Sequence, residues 1–296
     1  VWGEISPLGY ALYYLGLGAL ALVAWGQLRL WQGVLVALVA GLCSSVAPPL
    51  QPPPEVIFLD VGQGDSTLIR LPGRIEVLVD GGGTPFSDFD TGARTVLPAL
   101  KALGVDELEL VIATHADTDH IEGLVSVLEG LPVNELAIGL RADGSELFDR
   151  LMATAARRGV NVRELRRGES LALGGATLDV LHPTSRPSGS DNDNSVAFVL
   201  RYAGRARALL LGDLSTEAER GFAVPDVDVL LAAHHGSRSS TSAALLRAAQ
   251  PETVVVSYGR NGYGHPSEEL MARLHASGAG VRETFKEGAV RLPLLP

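Results

Sequence analysis

"THADTDHIEG", residues 114–123, follows directly on the apolar run Leu108–Ala113. Five of its ten residues can hold a metal ion or a proton: His115, Asp117, Asp119, His120 and Glu122. "LELVIATHADTDH" reads as a buried strand running into a loop, and "IEGLVSVLEGL" then resumes helical spacing. Such crowding at the end of a buried strand is unfavourable unless something neutralises it. Within H-x-D-x-D-H the alternate residues His115, Asp117 and Asp119 converge on a metal from a tight loop, and His120 reaches it from the start of the helix. Imidazole with carboxylate suits zinc, and the oxygen-rich mixture also suits manganese. A capping loop accounts for one Asp before a helix, but not for two His and two Asp in six residues.

Other polar groups sit just past apolar strands: Asp80 after "IEVLV", Asp213 in "LLLGD", and His234 with His235 in "AAHHGS". Strand ends are where sites assemble, because a rigid sheet aims several loops at one point. Asp213 supplies the carboxylate that a two-ion site needs from a second strand. One of His234 and His235 suffices as a ligand, leaving the other to donate to a substrate oxygen. His182, in "LHP", fits a strand end or a site equally well.

Between residues 55 and 296 the strands first cluster and then alternate with helices, twice over. That order predicts an α/β protein with two β-sheets sandwiched between helices. The 296 residues, 46% of them hydrophobic, suffice for a large core. A formal net charge of -10 argues against a broad basic face for nucleic acid. Arg157, Arg158, Arg163, Arg166 and Arg167 are the densest basic stretch, and a solvated helix and turn account for them better than a backbone track. The single cysteine, Cys43, excludes an internal disulfide and a multi-thiolate zinc site.

Residues 5–28 and 30–50 are uncharged apolar runs separated by Arg29. Each is long enough for a helix of the roughly twenty residues that cross a hydrocarbon core, so two transmembrane helices are expected over 1–50. Tyr10, Tyr13, Tyr14, Trp25 and Trp31 fall mostly near the ends of the runs, as interfacial residues do. If Arg29 marks the cytoplasmic side, the following domain lies on the extracytoplasmic face of the cell membrane. The prolines of 51–55 form a spacer, and 56–296 are then the catalytic domain. A first residue of Val1 fits a piece of a longer protein.

H-x-D-x-D-H with a Gly-Asp strand end and a late His resembles the metallo-β-lactamase fold, an αββα sandwich. "FLDVGQGDSTLI", "VDGG", "THADTDHIEGL", "NDNS", "LLLGD", "HHGS" and "YGRNGYGHP" resemble, in order, the C-terminal hydrolase domain of ComEC-type competence proteins, channels that import transforming DNA. The resemblance implies one ion at His115 and Asp117. It implies a second at Asp119, His120 and one of His234 and His235, with Asp213 bridging the pair. Asp80 would brace the histidine loop, and Asp65 of "GQGD" has a similar supporting place. The common pattern has a further histidine before the Gly-Asp strand, where this chain reads "SDNDNS". Asp191, Asn192, Asp193 or Asn194 must substitute, which favours manganese and weak occupancy of the first position.

The expected chemistry is hydrolysis of a phosphodiester by water activated between two divalent ions. Asp119, Asp213 and His265 carry it, with Asn192, Asn194, Ser237 and Ser239 as phosphate or substrate contacts. The resemblance implies a nuclease acting on incoming DNA beside other DNA-uptake proteins at the membrane. The alternatives are a hydrolase of another cell-surface phosphoester such as phosphocholine, and a catalytically idle domain that binds DNA or gates a channel.

Overall fold

A computed structural model describes residues 7–46, 52–85, 89–140, 144–184 and 190–295. The chain divides into two compact units, Val1–Pro52 and Pro53–Pro296. Residues 47–51, which include the start of the expected spacer, lie outside the described residues.

The first unit is a helical hairpin, Pro7–Ala24 (α1) and Leu30–Val46 (α2). Small residues let the helices approach: Gly16 faces Ala37, and a Cβ at Gly33 would collide with Val23. The helices have 18 and 17 residues, and the first is shorter than its uncharged run because a turn with Gly26 at φ +72° takes up the end of that run. At 1.5 Å per residue the longer one spans about 27 Å, against a hydrocarbon core of about 30 Å. The expectation of two spanning helices is therefore corrected: among the described residues no helix is long and apolar enough to cross a membrane. The hairpin does expose Tyr14, Trp25, Leu30, Trp31 and Leu38 by 61% or more, which marks an interaction surface.

The second unit carries two seven-stranded sheets of matching topology. The first contains Glu55–Phe58 (β1), Thr67–Leu71 (β2), Ile75–Val79 (β3), Leu108–Ala113 (β4), Val133–Ile138 (β5) and Asn161–Glu164 (β6). The second contains Ser170–Leu173 (β7), Ala176–His182 (β8), Ala197–Tyr202 (β9), Arg205–Leu210 (β10), Val229–Leu231 (β11), Thr253–Val256 (β12) and Gly280–Glu283 (β13). Val290–Pro293 (β14) returns to pair with β1, giving the orders β14-β1-β2-β3-β4-β5-β6 and β13-β12-β11-β10-β9-β8-β7. In each sheet antiparallel pairing gives way to parallel, at β3–β4 and at β10–β11. Strand clusters followed by strand–helix alternation therefore have a structural counterpart, the same half-motif used twice.

Side-chain alternation builds the layers. Val56, Phe58, Leu110 and Ile112 point between the sheets with Phe198, Leu210 and Val255. Ile57, Val111 and Ala113 point the other way, onto helices Thr118–Gly130 and Glu146–Arg158. The outer face of the second sheet is covered by Ala243–Ala249 and Glu268–Ser277 through Leu246, Leu270 and Leu274. The result is the αββα sandwich that the strand order predicts. Each fully buried Leu, Ile or Phe contributes roughly 1.5–3 kcal/mol over an exposed one, so the interior fixes the strand ends firmly.

Candidate metal centre

The parallel strands deliver their C-terminal ends to one edge, as layered α/β folds do. β3 leads into Asp80, β4 into Thr114 and His115, β10 into Gly212 and Asp213, and β11 into His234 and His235. Asp80 adopts φ +58°, an uncommon conformation for a residue with a side chain. Its carboxylate accepts from the Thr114 backbone N–H at 2.8 Å and the Thr114 hydroxyl at 2.7 Å, and lies 2.8 Å from His120 Nδ1. The glycines after it bring backbone against the metal loop; a Cβ at Gly83 would collide with the Thr118 carbonyl.

Asp213 lies at the centre. Its Oδ1 is 3.2 Å from His120 Nε2, and its Oδ2 is 3.7–3.8 Å from His115 Nε2, His234 Nε2 and His235 Nε2. Asp117 lies 3.7 Å from His115 Nε2, and Asp119 lies 3.2 Å from His235 Nε2. Two imidazoles share one design: each has a carboxylate on Nδ1 and turns Nε2 towards Asp213. For His120 that carboxylate is Asp80, and for His235 it is Asp65, at 3.3 Å. Asp65, His120, Asp213 and His235 offer ligand atoms all within 4.8 Å of one another and all buried.

The electrostatics reflect that crowding. Burial alone would deprotonate His235, but Asp213 and Asp65 overcome it and push its pKa up to about 10. Burial likewise opposes a charge on His120, and Asp213 and Asp80 outweigh it and raise its pKa well above the usual range. Against burial, His120 and His235 hold Asp213 well below the ordinary carboxylate value. Burial also works against Asp119, yet hydrogen bonding to His235 and the charge of His120 bring it down to about 2. Protons on buried imidazoles thus offset the acid, a place that a divalent cation takes more completely.

The donors fit such an ion. Buried His115 Nε2, His120 Nε2, both nitrogens of His235, Asp213 Oδ1 and both oxygens of Asp65 lack a hydrogen-bond partner. The Nε2 atoms of His115, His120 and His235 converge on the Asp213 carboxylate, an arrangement that suits a divalent cation.

Of the residues expected at the site, His115, Asp117, Asp119, His120, Asp213 and His235 converge, with Asp65 and Asp80 behind them. His234 is less buried, its side chain 32% exposed, and it lines a cavity of about 280 Å³ with Asp117, Asp119, Asp213 and His265. Asn192 reaches the cluster, its side-chain nitrogen 3.4 Å from Asp213 Oδ2, whereas Asn194 donates to the Ser190 carbonyl. Ser237 and Ser239 hydrogen-bond each other at 3.0 Å and do not line the cavity. The residues after His235 form a turn that turns those hydroxyls onto their own loop. His182 places Nδ1 3.0 Å from the Ser195 carbonyl, away from the cavity lining.

Several contributors act by holding backbone in place. Ser195 Oγ accepts from the Asp213 backbone N–H at 3.1 Å. Buried Glu219 accepts from the backbone N–H groups of Thr241 and Ser242, while Thr241 Oγ1 and Ser240 Oγ hold Ala233, just before the histidine pair. Three arginines of the basic stretch pair with glutamates: Arg157 with Glu129 at 2.7 Å, Arg163 with Glu135 at 3.4 Å and Arg166 with Glu164 at 2.5 Å.

A strand-end cluster of His and Asp in an αββα sandwich defines a class, that of metal-dependent hydrolases, and residues 59–260 match the metallo-beta-lactamase superfamily. The chain belongs to that superfamily. It is similar to competence proteins of the ComEC type: it is 31% identical to "ComE operon protein 3" of Bacillus subtilis, over 85% of this chain and 35% of that one. It is 33% identical to "Competence protein ComA" of Neisseria gonorrhoeae, over 90% of this chain and 36% of that one. The chain thus spans about a third of the length of these curated relatives. Among solved structures, the metallo-beta-lactamase fold protein YhfI of Bacillus subtilis aligns with a TM-score of 0.53 at 14% identity, over 81% of this chain and 99% of that one. Zn(2+)-bound PqqB of Methylobacterium extorquens aligns at 0.52 with 13% identity, over 81% and 100%. At these identities they speak for the fold alone.

Proposed function

We propose that this chain is a metal-dependent phosphodiesterase that cleaves DNA during uptake at a cell membrane. The observation that carries the chemistry is the convergence of unpartnered Nε2 and carboxylate atoms on Asp213 beside an open cavity. His115, Asp117 and Asp213 would hold one divalent ion, with Asn192 where the common pattern has histidine. Asp119, His120, His235 and Asp213 would hold the other. When bound, such ions lower the pKa of water and stabilise the attacking and leaving oxygens of an in-line displacement.

The chain's own residues do the rest. Asp80 and Asp65 fix the ring orientation of His120 and His235, keeping Nε2 free for ligation. His234 and His265, with ring centroids 5.3 Å apart, face the cavity where the phosphate would enter. Burial and the neighbouring imidazoles His234 and His235 lower the pKa of His265, so it is a neutral hydrogen-bonding and proton-accepting group at neutral pH. DNA as substrate is supported by the similarity to competence proteins. The exposed apolar hairpin supports membrane association through that unit.

The test is cleavage of single-stranded and duplex DNA by the full chain with manganese, zinc or chelator, beside Asp213→Ala. Metal-dependent cleavage that is absent from the variant is expected. Turnover of a small phosphocholine ester with DNA left intact would transfer the site to another phosphoester.

A further inference from the structure

The cavity's mouth carries an aromatic ring that metal and phosphate chemistry leaves unused. Tyr263 is 63% exposed and lines the same cavity as Asp119, Asp213, His234 and His265. Its ring centroid lies 6.0 Å from that of His265 at 35°, and His265 lies 5.3 Å from His234. A file of rings thus runs from the donor cluster to solvent.

The loop beneath the ring is fixed. Asn261 Oδ1 accepts from the backbone N–H of Tyr263 at 3.0 Å and of His265 at 3.1 Å, and its Nδ2 donates to the His265 carbonyl at 2.7 Å. The backbone that carries this outward-facing ring is therefore held in place. Two other exposed aromatics of this unit are already engaged: Phe89 lies under the Arg94 guanidinium and Phe285 against Tyr258.

Charge sharpens the choice of partner. The net charge is -10, and in the densest basic stretch Arg157, Arg163 and Arg166 are tied to glutamates, so among the described residues that stretch offers no free track for a backbone. Stacking on an aromatic is the sequence-tolerant alternative for a single strand, because every base has a π-face. A paired base has both faces covered, so the base that stacks must be unpaired.

We propose that Tyr263 is a stacking platform for the unpaired nucleobase next to the phosphate that enters the cavity. The proposal rests on reading the cavity as a DNA phosphodiester site. It makes Tyr263 a substrate-positioning residue and an unpaired strand the preferred ligand.

The test uses the full chain with manganese and single-stranded oligonucleotides that carry 2-aminopurine at successive positions, with phosphorothioate linkages to keep them intact. Wild type and Tyr263→Phe should quench the probe with similar affinity. Tyr263→Ala should bind roughly tenfold more weakly or worse and leave the probe bright, with circular dichroism and melting temperature unchanged. Quenching and affinity of Tyr263→Ala equal to wild type, or a wild type that never quenches, would overturn the proposal. Cleavage of the same sequences with natural linkages runs in parallel. Quenching without cleavage defeats the nuclease reading and spares the platform, whereas cleavage without quenching does the reverse.

Discussion

Replacing Asp80 by asparagine removes one charge and one acceptor from the best-braced point of the site. The side chain is 2% exposed, and its carboxylate takes Thr114 N–H, Thr114 O–H and His120 Nδ1 within 2.7–2.8 Å. In Asp80→Asn one oxygen still serves the Thr114 N–H. The amide NH2 replaces Oδ2, so the threonine hydroxyl must reverse and His120 Nδ1 must accept. A proton then sits on Nε2, the nitrogen 3.2 Å from Asp213 and the one needed for ligation. Loss of charge-assisted hydrogen bonding costs about 1.5–3 kcal/mol of folding stability. Metal affinity should fall roughly 10–100-fold, or about 1.4–2.8 kcal/mol, as for other partners that orient ligating histidines. Titration of free manganese by electron paramagnetic resonance reads the affinity, and urea denaturation of the metal-free chain reads the stability. A variant that binds manganese as tightly as wild type would refute the orienting role, whatever its stability.

Metal binding at neutral pH should release protons, because His120 and His235 carry raised pKa values without metal; calorimetry in buffers of different ionisation enthalpy measures the number, and zero release would contradict the protonated pair. For the metal-free chain the sign follows: His235 contributes fully below its unfolded pKa of about 6.5 and loses that contribution as pH rises towards about 10, so urea stability should decline across that window. Asn192→Ala should weaken one metal step roughly tenfold and spare the other, seen as a change in one phase of a two-phase titration; an unchanged titration would remove Asn192 from the site. Arg70 is buried and pairs with Glu76 at 2.9 Å and Glu55 at 3.3 Å, so Arg70→Ala should cost roughly 3–5 kcal/mol in urea denaturation, and a loss below about 1 kcal/mol would contradict the pairing.

The sandwich was legible because strand and helix periods alternate strongly in "LELVIATHADTDHIEGLVSVLEGL" and its counterparts, and each buried strand ends in a polar group. Asp213 and the His234–His235 pair were legible for the same reason. The supports were not. Ser195 is the last residue of "NDNS", but its bond to the Asp213 N–H, like those that Glu219 accepts, forms only once distant strands pair, and the motif does not state that role. Ser237 and Ser239 misled, since a hydroxyl beside a histidine pair bonds its own turn as readily as a phosphate. Length misled in the hairpin: an uncharged run counts residues that a turn later removes from the helix.

Anomalous difference density from manganese-soaked crystals would locate the ions. Peaks within bonding reach of the Asp213 carboxylate, shared with His120 Nε2 and His235 Nε2 on one side and His115 with Asp117 on the other, are the expected result. Density that leaves Asp213 bare, or an ion bound elsewhere while these donors stay empty, would contradict it.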